Sequence, residues 1–201
     1  MEKNSIGRSV GLVVIGGSAG SLDVILQMLP FLNGGLRFPL IIVLHRKISF
    51  DSALTDLFAG KTTLIVKEAE EKEELKPGII YIAPADYHLL VEANHTLSID
   101  YSERIHYSRP SIDVTFETAA DAFGRAAVGI LLSGANADGS EGLKAIRSLG
   151  GITVVQNPVT AEIPYMPQQA LGALAVDYVL DSHQIAGFIN KLSDDTAAYS
   201  E

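Results

Sequence analysis

The chain has 201 residues, 47% of them apolar, and carries 15 Lys and Arg against 24 Asp and Glu, a net charge of −9. That acidic balance excludes a general nucleic-acid binder, which needs a basic face to neutralise phosphates. With no cysteine, disulfides, thiolate catalysis and cysteine-based metal sites are excluded too.

Taken in chain order, the opening MEKNSIGRSV has no apolar signal segment, and no apolar run reaches membrane-spanning length. A soluble cytoplasmic protein, not embedded in a membrane, is therefore expected. The length fits one domain over residues 1–201, with a lead-in at 1–10 and a polar tail at 193–201. Short β-branched runs alternate with helical patterns, which predicts an α/β fold with a mostly parallel, doubly wound sheet. Gly11 to Ile15 is too short for a helix and shows no polar alternation, as expected of a central strand covered on both faces. Leu22, Ile25, Leu26 and Leu29 then form one helical stripe. Leu40 to Leu44 predicts a second buried strand, followed by a short helix with Leu54, Leu57 and Phe58 that Ser52 could cap.

Thr62 to Val66 predicts a third strand, leading into a charged run, 68–74, of the kind found in solvated loops and helix ends. Ile79 to Ile82 is a further strand. Leu89 to Ala93 and Thr96 to Tyr101 alternate around Asn94-His95, which predicts an antiparallel hairpin at one edge of the sheet. A helix from about Ser111 turns Ile112, Phe116, Ala119 and Phe123 inward, with Gly124 past its end. Val128 to Leu132, Ile152 to Val155 and Val176 to Leu180 are the remaining strands. The stripe Leu143, Ile146, Leu149 lies between the first two of these. The last helix has Ser182 as its cap and Ile185, Ile189 and Leu192 on one face, and the tail after it is expected to fray.

Polar residues follow three of these strands. Ser18 follows the first, inside Gly16-Gly17-Ser18-Ala19-Gly20, which fits the G-x-S-x-G nucleophile pattern. His45 follows Leu40–Leu44, and Asp138 lies in the Gly-rich loop after Val128–Leu132. Ligands in open parallel sheets bind outside the carboxyl ends of the strands. If the strands are neighbours, an alcohol, a base and an acid converge there, with the acid fixing the imidazole tautomer. Each residue alone has a plainer reading: Ser18 as a helix cap, His45 as a backbone-bonded strand end, Asp138-Gly139 as a turn. The other histidines, His88, His95, His106 and His183, have no metal-ligand spacing. Asp23, Asp86 and Asp113 read as caps and turn residues. Dinucleotide and P-loop patterns both fail at the glycine-rich stretch. The order Ser, His, Asp also differs from that of the ordinary α/β-hydrolases.

The chain resembles the catalytic domain of the chemotaxis receptor methylesterases, the CheB family, from about Val13 to Leu180. VVIGGSAGS is similar to the family's nucleophile strand and turn, and IIVLHR to its histidine strand. KEAEEKEELKPGIIYIAPADYH, SRPSIDVTFETAA, GILLSGANADGSEGL and TVVQNPVTAEIPYMPQQAL match further family segments in order. The resemblance implies a three-layer α/β/α fold and hydrolysis of γ-glutamyl methyl esters on chemoreceptors by Ser18, His45 and Asp138. Some members also deamidate receptor glutamines. It further implies oxyanion donors at the backbone of Ala19 and Ala135, and no cofactor or metal.

The sequence departs from the family pattern in several places. Ala19 replaces a Thr, Ala135 a Met, and Leu44-His45-Arg46-Lys47-Ile48 stands where the family has Q-H-M-P-P, adding two positive charges at the expected rim. Most members carry a receiver domain ahead of this one, whereas here only residues 1–10 precede the first strand. The expectation is a stand-alone esterase or a module controlled by a separate receiver or kinase protein. The alternatives are a catalytically weakened binding module and a hydrolase of small esters.

Overall fold

The computed structural model describes residues 9–46, 51–105 and 107–198. Of the expectations above, those on Lys47, Ile48 and His106, and on the Ser52 side chain, fall outside the described residues.

The strands are β1 (Leu12–Gly17), β2 (Leu40–Leu44), β3 (Ile65–Glu68), β4 (Ile79–Ile82), β5 (His88–Val91), β6 (Leu97–Asp100), β7 (Ala127–Leu131), β8 (Ile152–Gln156) and β9 (Tyr178–Leu180). The helices are α1 (Ser21–Met28), α2 (Asp51–Ala59), α3 (Ile112–Phe123), α4 (Ser140–Ser148), α5 (Tyr165–Ala173) and α6 (Ile185–Ala198). Seven strands form one sheet in the order β3-β4-β2-β1-β7-β8-β9, with every pairing parallel.

Every residue of β1, β2, β7 and β8 is buried. Successive side chains of a strand point to opposite faces, so a continuously apolar strand needs a cover on both. Val13, Ile15, Leu40 and Ile42 join Ile25 and Met28 of α1, Phe58 of α2 and Ile189 and Leu192 of α6 in one core. Leu12, Val14, Ile41 and Val43 join Phe116 of α3, Leu143 of α4 and Met166 of α5 in the other. Three layers follow from that division.

Several details differ from the sequence reading. The hairpin β5–β6 is a separate two-stranded sheet instead of an edge addition. It packs on α3, where the Thr115 hydroxyl donates to Leu89 O at 2.8 Å and Thr118 Oγ1 accepts from the Val91 N–H at 3.1 Å. The strand expected from Thr62 begins at Ile65. In α1 the inward residues are Val24, Ile25 and Met28, whereas Leu22 is exposed. Helix α2 begins at Asp51, which puts Ser52 inside it. Asp181, not Ser182, caps the last helical unit, through a capping box with Gln184. The expected polar tail continues as helix to Ala198, because Ser193 and Thr196 accept from the backbone N–H groups of Arg37 and Val10, both at 3.1 Å.

Helices α3 and α4 are joined closely enough to matter for the site. The Asp113 carboxylate, in the first turn of α3, accepts from the Gly142 N–H at 2.7 Å. A Cβ on Gly142 would lie 2.4 Å from Phe116 Cβ and 3.0 Å from the Asp113 carbonyl oxygen. Gly142→Ala is therefore expected to lower unfolding stability by about 1–3 kcal/mol, as overpacking a close contact does. Urea denaturation of the variant measures it.

Candidate active site

The site is assembled by register. β1 and β2 are neighbours with Gly17 opposite Leu44, so Ser18 and His45 are the residues that next leave the sheet. The His45 N–H donates to Gly17 O at 3.2 Å, and the Ser18 N–H donates to Ser133 O at 2.9 Å, just beyond β7. Serine and histidine are thereby set side by side at the carboxyl ends of adjacent strands. They share a cleft of about 280 Å³ that is largely apolar, with Leu22, Leu44, Leu54 and Leu57 in its wall and Arg46 beside them. The exposure of Leu22, expected to face the sheet, and of Leu57 follows from that position.

Asp138 is fully buried. Its carboxylate accepts from His45 Nε2 at 2.8 Å, from the Ile112 and Asp113 backbone N–H groups at 2.8 and 2.9 Å, and from the Ser111 hydroxyl at 3.0 Å. Two of these donors are orphan amides of the first turn of α3, which favour negative charge. Burial pushes the Asp138 carboxyl up, but the His45 bond and the Asp113 and Ile112 amides outweigh it and hold the group below the usual carboxylate range. Gly139 follows at φ 95°, a left-handed conformation natural to glycine, and the chain there turns directly into α4. The plain turn reading of Asp138-Gly139 is thus correct for the backbone and incomplete for the side chain.

Ser18 is not the cap of α1. Gly20 occupies that position with no side-chain bond, and Ser18 instead offers its carbonyl to the Ser21 N–H at 3.1 Å. Among the described residues the Ser18 hydroxyl makes no hydrogen bond, and the imidazole does not bond to it. His45 Nδ1 faces Ser108 Oγ at 3.3 Å. Asn136 adjoins both partners, its Nδ2 donating to Ser108 Oγ at 3.4 Å and its Oδ1 accepting from the Asp138 N–H at 3.2 Å. The sequence reading named Ser111 only as the start of a helix and did not single out Ser108 or Asn136. An Asn two residues before Asp138 is a turn signal that pointed to the last of these; nothing local pointed to Ser108.

Ala19 and Ala135 are exposed, and among the described residues their backbone N–H groups donate no hydrogen bond. Ser133 ties the loops that carry them together, its hydroxyl donating to Ala19 O at 2.7 Å and accepting from the Ile163 N–H at 2.9 Å. A Cβ on Gly134 would lie 3.0 Å from Ser18 Cβ, which places the residue before Ala135 against the serine.

Arg46 was expected as a rim charge. Its side chain is buried instead, donating to Glu68 Oε2 at 3.2 Å and Ala83 O at 3.0 Å. Asp86 pairs with Arg109 and Arg104, and Asp113 binds an amide, so both are structural. His88 is buried and accepts from the Ser111 N–H at 3.1 Å, while His95 stacks on Phe123. Among the described residues no group of His, Asp and Glu could hold a metal ion, and no helix is long and apolar enough to cross a membrane.

Residues 13–189 match the model of the CheB methylesterase family. A putative protein-glutamate methylesterase/protein-glutamine glutaminase of Leptospira interrogans is 44% identical over 180 residues, covering 90% of this chain and 93% of the relative. The corresponding protein of Thermotoga maritima is 33% identical over 87% of this chain; the chain spans about half of that relative's length (52%). The crystal structure of the Thermotoga maritima CheB methylesterase catalytic domain superposes with a TM-score of 0.87 at 31% identity, over 92% of this chain and 100% of that one.

The depressed Asp138 carboxyl has a stability consequence. A group whose folded-state pKa is lowered contributes stability that is present above its unfolded value, about 3.9 for Asp, and lost as pH falls through the folded value. Asp138→Asn is therefore expected to be less stable than the unaltered protein at neutral pH. The gap should narrow as the medium is acidified below about pH 4. Urea midpoints measured across that interval check it.

Proposed function

The chain belongs to the CheB methylesterase family, and from that premise we propose that it hydrolyses γ-glutamyl methyl esters of a protein substrate with Ser18 as nucleophile, His45 as base and Asp138 as the orienting acid. The observation that carries the reading is the 2.8 Å bond between His45 Nε2 and the fully buried Asp138 carboxylate, beside Ser18 at paired strand ends.

The carboxylate only accepts, so the proton of that bond resides on Nε2 and leaves the Nδ1 lone pair as the base. Ser18 Oγ attacks the ester carbonyl while Nδ1 takes its proton. The oxyanion that forms is met by the amides of Ala19 and Ala135, which have no other partner among the described residues. Departing methoxide receives the proton from His45 and leaves as methanol. Water then attacks the acyl-enzyme, again giving its proton to Nδ1, and frees the glutamate and Ser18. Substitution of Ala135 for the family's Met leaves this role intact, because a backbone amide does not depend on its side chain.

The same steps with ammonia as leaving group turn glutamine into glutamate, and the relatives named above carry both activities in their names. The substrate in this reading is the methylated cytoplasmic region of a chemoreceptor. Such a surface brings a neutral ester on an apolar methyl group, and the apolar cleft beside Ser18 and His45 suits it.

Ser18→Ala is expected to abolish methanol release from methylated receptor and labelling by a fluorophosphonate, with its urea midpoint nearly unchanged. Turnover that survived the substitution would reject the nucleophile.

A further inference from the structure

Both nitrogens of His45 are engaged, and the second partner is not Ser18. The Asp138 backbone N–H only donates, so the Asn136 atom it meets at 3.2 Å is the amide oxygen. That fixes the amide nitrogen toward Ser108, where it donates to Oγ at 3.4 Å. Asn136 thereby uses an acceptor site of Ser108, and the contact with His45 has the Ser108 hydroxyl as donor because Nδ1 carries only a lone pair. The imidazole carries its proton on Nε2, against Asp138, and has one lone pair, at Nδ1, 3.3 Å from Ser108 Oγ. The bonds close a directed ring from Asp138 to Asn136, Ser108, His45 and back to Asp138.

The backbone holds Ser108 in this place. Its N–H donates to Ile105 O at 2.8 Å and its carbonyl accepts from the Ile105 N–H at 3.2 Å. The next residue, Arg109, pairs with Asp86 at 3.1 Å and lies 3.8 Å over the Tyr101 ring.

We propose that Ser108 is a positioning residue that occupies the basic lone pair of His45 in the free protein and yields it to Ser18 when substrate enters the cleft. The proposal rests on the reading of Ser18 as nucleophile. One nitrogen lone pair accepts one well-aligned hydrogen bond, so the two hydroxyls cannot hold it together. Ser18 stands on the adjacent strand end, lines the same cleft, and its hydroxyl has no hydrogen bond to break among the described residues. The bonds from the Ser108 hydroxyl oxygen to His45 and Asn136, at 3.3 and 3.4 Å, are longer than well-formed bonds of their kind and exchange at small cost.

The test compares the unaltered protein with Ser108→Ala, Ser108→Thr and Ser18→Ala, using a small fluorophosphonate and a small methyl ester as probes. Ser108→Ala is expected to speed labelling of Ser18 about two- to tenfold, the equivalent of one ordinary hydrogen bond. Ester kcat/KM should rise with it. Ser108→Thr, which keeps a hydroxyl, returns the rate toward that of the unaltered protein. In nitrogen NMR, the His45 Nδ1 resonance should move toward that of an unbonded imidazole in Ser108→Ala and stay in place in Ser18→Ala. Equal or slower labelling of Ser108→Ala overturns this proposal alone, whereas label retained by Ser18→Ala overturns the nucleophile and the proposal with it. Should Ser108→Ala not fold, the Nδ1 resonance of the unaltered protein decides: an unbonded signature overturns the proposal, a hydrogen-bonded one supports it.

Discussion

One buried carboxylate organises this structure. Asp138 has no exposed surface, and an isolated charge in such a place would be prohibitively costly. Backbone amides of Ile112 and Asp113, the Ser111 hydroxyl and the His45 ring make the burial tolerable. Those donors lie far from Asp138 along the chain, so satisfying the one acid brings the start of α3, the end of β2 and the loop after β7 to a single point. Its counterpart runs the other way, from Asp113 to the amide of Gly142. Each carboxylate satisfies the opening turn of the opposite helix, and neither can be solvated without separating the pair.

The parallel sheet supplies the rest of the geometry. Adjacent strands that run the same way end on the same side, and the register of Gly17 with Leu44 makes the next residues neighbours. A serine and a histidine separated by a helix and a strand crossing are therefore juxtaposed without a hydrogen bond between their own side chains. Chain order reverses across β1, with β2 on one flank and β7 on the other, which is where open α/β sheets leave a crevice. Ser18, His45 and the Asp138 loop all issue from those strands.

Much of this was legible from residue patterns, for reasons that differ by element. The four central strands were readable because full burial leaves an unbroken apolar run, and α3 because Ser111 and Gly124 mark both its ends. Less legible were features decided by packing alone. Periodicity put Leu22 on the sheet-facing stripe and did not decide Leu57; both border the cleft because it interrupts the layer there. Thr62 to Leu64 have strand-like composition, but the pairing with β4 begins only at Ile65. Ser193 and Thr196 looked like a solvated tail because nothing in their own segment reveals the amides of Arg37 and Val10. The candidate site shows the same division. Ser18, His45 and Asp138 stand at strand ends, where position carries meaning, whereas Ser108 follows no strand and meets His45 only through the tertiary path of the loop before Pro110.

The bonds that fold the protein and the bonds that prepare its chemistry are largely the same ones. Nε2 of His45 donates to a carboxylate that is already obliged to stay charged by the α3 amides, and so the ring has one available tautomer before any substrate arrives. A base oriented in this way needs no reorganisation at the moment of proton transfer, which is the general advantage of fixed dipoles in an enzyme site. The serine is under the opposite regime. Its backbone is fixed by Ser133 O and the Ser21 N–H, but its hydroxyl is left to rotate beside an apolar wall. Rigidity on the acid–base side and freedom at the nucleophile are compatible because the α3–α4 pair determines the first and the β1 turn the second.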